Sequence, residues 1–105
     1  MYHCINVSAH SKTEKAGAVL IRSILPIEGI EKMRVPGNLK YTGGLANGPG
    51  KLTRALHIDR SHNGLDMTDC ACSLHIENGK TPKRILAAPR IGISVGTEVR
   101  WRFKF

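Results

Sequence analysis

Residues 35–50, from Val35-Pro36-Gly37-Asn38 to Gly48-Pro49-Gly50, constrain this 105-residue chain more than any other stretch. They hold two Pro, two Asn and five Gly and show no periodic apolar spacing. Gly and Pro interrupt regular structure, so the stretch reads as a loop. It is long for a connection inside a compact domain, and loops of that length tend to be functional or mobile. On either side the apolar residues come in short runs. Only short strands and short helices can be built from them.

Before the loop, Ile5 to Ala9 alternates loosely and carries Val and Ile, which suits a strand. The polar run His10 to Lys15 reads as a turn, and Ala16 to Ile24 is an apolar run that returns as the second strand of a hairpin. Pro26 stands at a suitable first helical position, with Glu28 and Glu31 where carboxylates favour the helix dipole. Ile27, Ile30 and Met33 or Arg34 then share one face, which predicts a helix over 26–34.

After the loop, Gly48-Pro49-Gly50 feeds Lys51 to His57, where Leu52, Ala55 and Leu56 line one helical face. A Gly-rich turn opening a helix presents free backbone N–H groups, a ready phosphate site with Lys51 and Arg54 beside it. The same residues also suit a plain capped helix. Asp59 to Asp69 is turn-rich, with Asn63-Gly64 a hairpin-type signal. Four short β-like runs follow: 74–77, 84–88, 91–93 and 99–103. The sum is an α+β chain around a mostly antiparallel, curved β-sheet with a few short helices.

Sixteen Lys and Arg against eight Asp and Glu leave a net charge of +8. That is the profile of a polyanion binder, and equally of a protein kept soluble by its charge. The cysteines Cys4, Cys70 and Cys72 are odd in number and follow no export signal, which points to a reducing, intracellular setting. The longest apolar runs fall far short of the ~20 residues a membrane span needs. Cys70-Ala71-Cys72 with His75 offers three metal donors within six residues. The one-residue gap and the lack of a second knuckle make that a poor zinc pattern, so no metal is expected. No nucleophile–base pair and no dinucleotide fingerprint is legible either.

Four blocks carry a more specific message: Met1-Tyr2-His3-Cys4-Ile5-Asn6, Gly17 to Arg22 with Leu25 to Met33, Gly48 to Leu56, and Ala88-Pro89-Arg90-Ile91-Gly92-Ile93. In that order they resemble the alkyladenine (3-methyladenine), or methylpurine, DNA glycosylase family. The likeness covers roughly residues 1–34 and 48–105 and matches only the family's C-terminal half. It implies an incomplete single domain, 1–105.

The resemblance implies base excision repair: hydrolysis of the N-glycosidic bond of alkylated purines in double-stranded DNA, with no cofactor, by a monomer in the bacterial cytoplasm or the eukaryotic nucleus. Met1 and Tyr2 match residues flanking the wedge that such enzymes insert into the minor groove when they extrude a base. The wedge Tyr itself matches a position just before Met1. Asn6 matches an Asn that reads the edge of the flipped purine, since an amide both donates and accepts. Arg22 matches an Arg that helps position the attacking water, and Ile91 a residue whose backbone carbonyl holds the same water. Lys51 carries over as a contact to the DNA backbone. Arg90 is less securely matched, and Arg100 and Arg102 read as solvated surface.

The family's general base, a Glu, and the side chains that sandwich the base belong to the unmatched half, and none of this chain's own Glu residues falls at that position. The expectation is therefore a catalytically impaired chain, trimmed at both ends. The alternative is a non-catalytic basic DNA-binding remnant.

Overall fold

A computed structural model describes residues 2–9, 11–13, 15–34 and 44–105. Most of the loop expected at 35–50 lies outside these residues. The chain divides into two compact units, Met1–Leu65 and Asp66–Phe105.

The first unit opens with strands β1 (Ile5–Ser8) and β2 (Ala18–Ile21), paired antiparallel with Ile5 opposite Ile21, Asn6 opposite Leu20 and Val7 opposite Val19. Both strands are shorter than the sequence runs, but the hairpin is as expected. Beyond the ladder the Ala9 N–H donates to the Gly17 carbonyl at 3.0 Å. Only glycine fits at 17, because a Cβ there would run into the Ala9 carbonyl oxygen.

The helix expected over 26–34 is only one turn, α1 (Ile30–Met33). Gly29 holds a left-handed backbone at φ 70° immediately before it, so no helix can run through from Pro26. Glu31 remains in the first turn. Glu28 lies ahead of the helix.

The second helix, α2, spans Pro49–Ala55 rather than 51–57. Gly48 is its N-cap and Pro49 its first residue, a position where a missing N–H costs nothing. At the other end His57 takes a left-handed conformation, φ 54°. Its N–H donates to the Arg54 carbonyl at 3.2 Å and that of Ile58 to the Thr53 carbonyl at 2.8 Å, the paired bonds of a Schellman stop. A histidine stands where glycine is usual, and its ring Nε2 lies 3.2 Å from the Lys32 carbonyl of α1. The core of the unit gathers round α2: Leu52 is 0 % exposed, and Ile5, Ala46, Thr53 and Ala55 are buried with it.

A 3-10 turn, Arg60–His62, follows, capped by the Asp59 carboxylate accepting from the Ser61 N–H at 2.9 Å. Asn63-Gly64 closes this turn instead of forming a hairpin; Gly64 supplies the positive φ of 84°.

The second unit begins with two aspartate-stapled turns. Asp66 accepts from the Thr68 N–H and Asp69 from the Ala71 N–H, each at 2.9 Å. No strand forms at 74–77: the Ile76 N–H is taken by the Met67 carbonyl at 2.7 Å, so local turn bonding prevails over β-propensity. The run 84–88 yields β3 (Leu86–Ala88), and 99–103 shifts to β4 (Arg102–Lys104). They pair antiparallel, Ala87 opposite Phe103. Ile91–Ile93 is not a strand because Gly92, at φ 78°, bends the backbone. The architecture is α+β, with both ladders antiparallel.

Candidate functional site

Side chains on a strand alternate between faces, so register alone sorts the hairpin. Ile5, Val7, Val19 and Ile21 share one face, and Ile5 is the residue it buries. Asn6 stands on the other face, exposed, opposite Leu20. Continuing the register by one step sets Arg22 opposite Cys4, on the Asn6 side. That step lies just past the end of the paired strands. Arg22 is half-buried and makes no hydrogen bond or ion pair with another described residue. An amide able to read a heterocycle edge thus stands on the hairpin, and an uncommitted guanidinium directly follows it.

The segment ahead of β1 is seated on α2. The buried Thr53 hydroxyl lies 3.0 Å from the His3 carbonyl oxygen, 3.0 Å from that of Gly50 and 3.4 Å from that of Pro49. The Tyr2 ring lies against Gly50, and Tyr2, His3, Gly50, Thr53, Arg54 and Ile58 line an open hollow of about 200 Å³. Tyr2 is 69 % exposed. Met1 lies outside the described residues. Lys51 is exposed on the first turn of α2, its Nζ donating to Asn47 Oδ1 at 3.3 Å. That single neutral contact leaves its charge available.

Ile91 belongs to the second unit, exposed in the bend after β3. Arg90 beside it is exposed as well. Arg100, exposed, and Arg102, half-buried, were expected as solvated surface, and both also donate to the backbone. Arg100 Nη2 donates to the Ala87 carbonyl at 2.6 Å and Arg102 Nε to the Pro89 carbonyl at 3.0 Å. Both clasp the strand that leads into Arg90-Ile91. Guanidiniums donating to carbonyls across a short ladder could not be read from alternation of basic and apolar residues.

Of the donors in the Cys70–His75 segment, His75 is committed elsewhere. His75 Nδ1 lies 3.0 Å from the Cys72 carbonyl and Nε2 lies 2.7 Å from Glu77 Oε1. Those two acceptors, Glu77 first, push the His75 imidazole above its ordinary pKa. Burial raises the Cys72 thiol, helped by the carboxylates of Asp69 and Asp66. A raised thiol is a poor metal ligand and a poor nucleophile. Among the described residues no group of three or more His, Cys, Asp and Glu is placed to hold a metal ion. Among them, too, no helix is long and apolar enough to cross a membrane. All described Asp and Glu residues are exposed. Asp59 and Asp66 fall below the ordinary carboxylate range, mainly through the hydroxyls of Ser61 and Thr68.

Sequence reasoning missed Gly50 and Thr53. A second glycine inside the first turn costs a helix about 1 kcal/mol relative to alanine, and so signals a close approach. A hydroxyl flanked by Leu52, Ala55 and Leu56 on an apolar face signals a buried bond.

Fold and site together define a small basic α+β protein with a polar hairpin face and an aromatic-lined hollow. The methylpurine-DNA glycosylase family matches residues 1–105, and the chain belongs to that family. It is similar to the "Putative 3-methyladenine DNA glycosylase" of Chlorobium phaeobacteroides (strain BS1), 45 % identical over 87 residues, which cover 83 % of this chain and 44 % of that protein. The protein of the same name from Rhodopseudomonas palustris (strain HaA2) is 38 % identical over 98 % of this chain and 50 % of its own length. That of Clostridium perfringens (strain SM101 / Type A) is 39 % identical over 98 % of this chain and 56 % of its own. The chain therefore spans about half the length of the curated relatives it matches. No solved structure matches it.

Proposed function

We propose that this chain is the DNA-contacting and base-reading half of a 3-methyladenine-type DNA glycosylase, which hydrolyses the N-glycosidic bond of alkylated purines in double-stranded DNA. The observation that carries the reading is Asn6 exposed on the face of β1 away from Ile5, with the half-buried Arg22 directly following the paired strand β2. Asn6 reads the edge of the extruded purine. Arg22 helps position the attacking water, a role that family likeness also gives the Ile91 carbonyl, and Tyr2, with Met1, meets the groove. Lys51 exchanges its bond to Asn47 for a phosphate. Hydrolysis by water in this scheme needs no cofactor.

A carboxylate that acts as general base near neutral pH needs burial or a charged neighbour to raise it. Every described carboxylate is exposed, so none of these is suited to the part of general base in this scheme. The same exposure favours the second reading, a basic DNA-binding chain that turns nothing over.

Base release decides between them. Methylated duplex DNA is incubated with the 105-residue chain and with a polypeptide extended by the half its relatives possess. The extended protein is expected to free alkylated base and the shorter chain to free none, since loss of a positioned base commonly costs 10²–10⁴-fold, i.e. on the order of 3–5 kcal/mol. Asn6→Ala in the extended protein should change the choice among purines more than the affinity for undamaged DNA. Release by neither protein, with salt-dependent binding by both, would favour the non-catalytic reading. A log–log salt slope of about −0.9 per phosphate contact is expected for the binding itself, and its absence at low salt would remove both readings.

A further inference from the structure

We infer that Gly50 and Thr53 of α2 form a seat that fixes the Tyr2 ring, and that Thr53 is a positioning residue for the recognition of distorted duplex DNA. The DNA part of this inference rests on the function proposed above; the seat does not.

Three observations converge. The segment ahead of β1 is tied down by a hydroxyl that is itself buried: Thr53 is 3 % exposed, and its proton is offered to the His3 and Gly50 carbonyls, both at 3.0 Å. A threonine inside a helix usually bonds only to the carbonyl three or four residues back. The bond to His3, fifty residues away in sequence, is what a plain helix cannot supply. It holds the backbone immediately after Tyr2.

Gly50 completes the seat. A Cβ built there would stand 3.1 Å from Tyr2 Cδ1 and 3.3 Å from both Cβ and Cγ, so the ring rests on the bare face of the glycine. An alanine, though better for the helix, would make the ring give way by a few tenths of an ångström. The remainder of the ring stays open to solvent and borders the hollow that also carries the His3 and Arg54 side chains. An aromatic ring held on one side and free on the other has already lost the motion that an encounter with a base step would otherwise freeze. Immobilising such a side chain costs about 0.5–1.5 kcal/mol, or roughly two- to tenfold in affinity.

The test has a structural arm and a DNA arm. In the structural arm, nuclear Overhauser contacts between the Tyr2 ring and the Gly50 α-protons are recorded for the whole chain. They should be present in the native protein and in Thr53→Ser, which keeps the hydroxyl, lost in Thr53→Val, and weakened at the remaining α-proton of residue 50 in Gly50→Ala. Contacts that are unchanged in both of the latter would overturn the seat. Should Thr53→Val fail to fold, Gly50→Ala set against Thr53→Ser still decides, because alanine favours the helix.

In the DNA arm, anisotropy gives the ratio of affinities for a duplex bearing an abasic-site analogue and for the intact duplex. The ratio should fall roughly two- to tenfold in Gly50→Ala and Thr53→Val, recover in Thr53→Ser, and do so with little change in intact-duplex affinity, which phosphate contacts dominate. Native protein that shows the ring contacts but no preference for the abasic duplex would sink the functional proposal and leave the seat standing. Loss of the contacts with an unchanged ratio would overturn the role of Thr53 in recognition.

Discussion

In residues 1–65 the buried side chains close round one helix, with Leu52 at the centre and Ile5, Ala46, Thr53 and Ala55 about it. In residues 66–105 no residue is buried at all, while Ile85, Ile91, Val95, Trp101, Phe103 and Phe105 all lie exposed. The second unit is ordered by other means: two aspartate turns, a three-residue ladder, and two arginines donating to backbone carbonyls. Both units are basic, so charge does not separate them. Apolar burial contributes about 25 cal/mol per Å², whereas an exposed hydrogen bond contributes only about 0.5–1.5 kcal/mol net. The first unit should therefore open rarely and the second often, as cooperative units of unequal stability.

Leu52→Ala is the harshest way to break that contrast. Truncating a fully buried leucine commonly costs about 2–5 kcal/mol, because the cavity is only partly filled by relaxation. Amide exchange should rise through α2, at Leu52, Leu56 and Ile58, whose donors close the helix and its stop. Exchange in β3 and β4 should barely change. Equal acceleration in both units would show that they fold as one body and that the contrast is false.

A smaller effect is expected from Arg102→Ala. It removes the donor to the Pro89 carbonyl and should loosen the β3–β4 ladder by about 1 kcal/mol, visible as faster exchange at 86–88 with α2 undisturbed. The single tryptophan reports on the same unit. Trp101 is 70 % exposed, so its emission should lie near that of free indole and be readily quenched by acrylamide. Trp101→Ala should shift stability by no more than about 0.5 kcal/mol. A blue-shifted, protected indole would mean that this surface is covered in solution.

The same contrast explains which parts of the fold could be read from the sequence. The hairpin was legible because a loosely alternating stretch, 5–9, and an apolar run, 16–24, flank a polar turn, and Ile5, Val7, Val19 and Ile21 fall on one face. The apolar face of α2 was legible from the spacing of Leu52, Ala55 and Leu56, although its ends were not: Pro49 starts the helix earlier, and His57 stops it by adopting a conformation expected of glycine. The helix at 26–34 failed on one residue, since the spacing of Ile27, Ile30 and Met33 runs across Gly29, which is left-handed. In the second unit, runs such as 74–77 and 91–93 have β-propensity but no core to pack against, and local bonds from Asp66, Asp69 and Met67 decide the backbone instead. Of the site, Asn6 and Arg22 came from family likeness, and the structure sets the one on β1 and the other directly after β2. Gly50 and Thr53 escaped because each acts through a partner some fifty residues away.

The smallest predicted effect concerns pH, and it separates the units by sign. Asp59 in the first and Asp66 in the second have lowered carboxyl groups, so both turns contribute stability above the ordinary carboxylate range and lose it as pH falls through their depressed values. His75, in the second unit alone, is shifted the other way. Its two ring nitrogens face the Cys72 carbonyl and the Glu77 carboxylate, and only the imidazolium can donate to both. A raised value means stability fully present below the ordinary histidine pKa of about 6.5 and lost as pH rises through the folded value. Proton titration of the five histidine rings should find His75 titrating above the ordinary range. Glu77→Gln removes the larger of the two causes and should bring it down, with the protection of the Ile76 amide, relative to its intrinsic exchange rate, then losing its dependence on pH above neutrality. Because both side chains reach solvent, the gain is small and salt should reduce it. A His75 that titrates no higher than ordinary in the native protein, or is unmoved by Glu77→Gln, would show that the 2.7 Å contact does not persist in solution, leaving the second unit held by its aspartate turns and arginines alone.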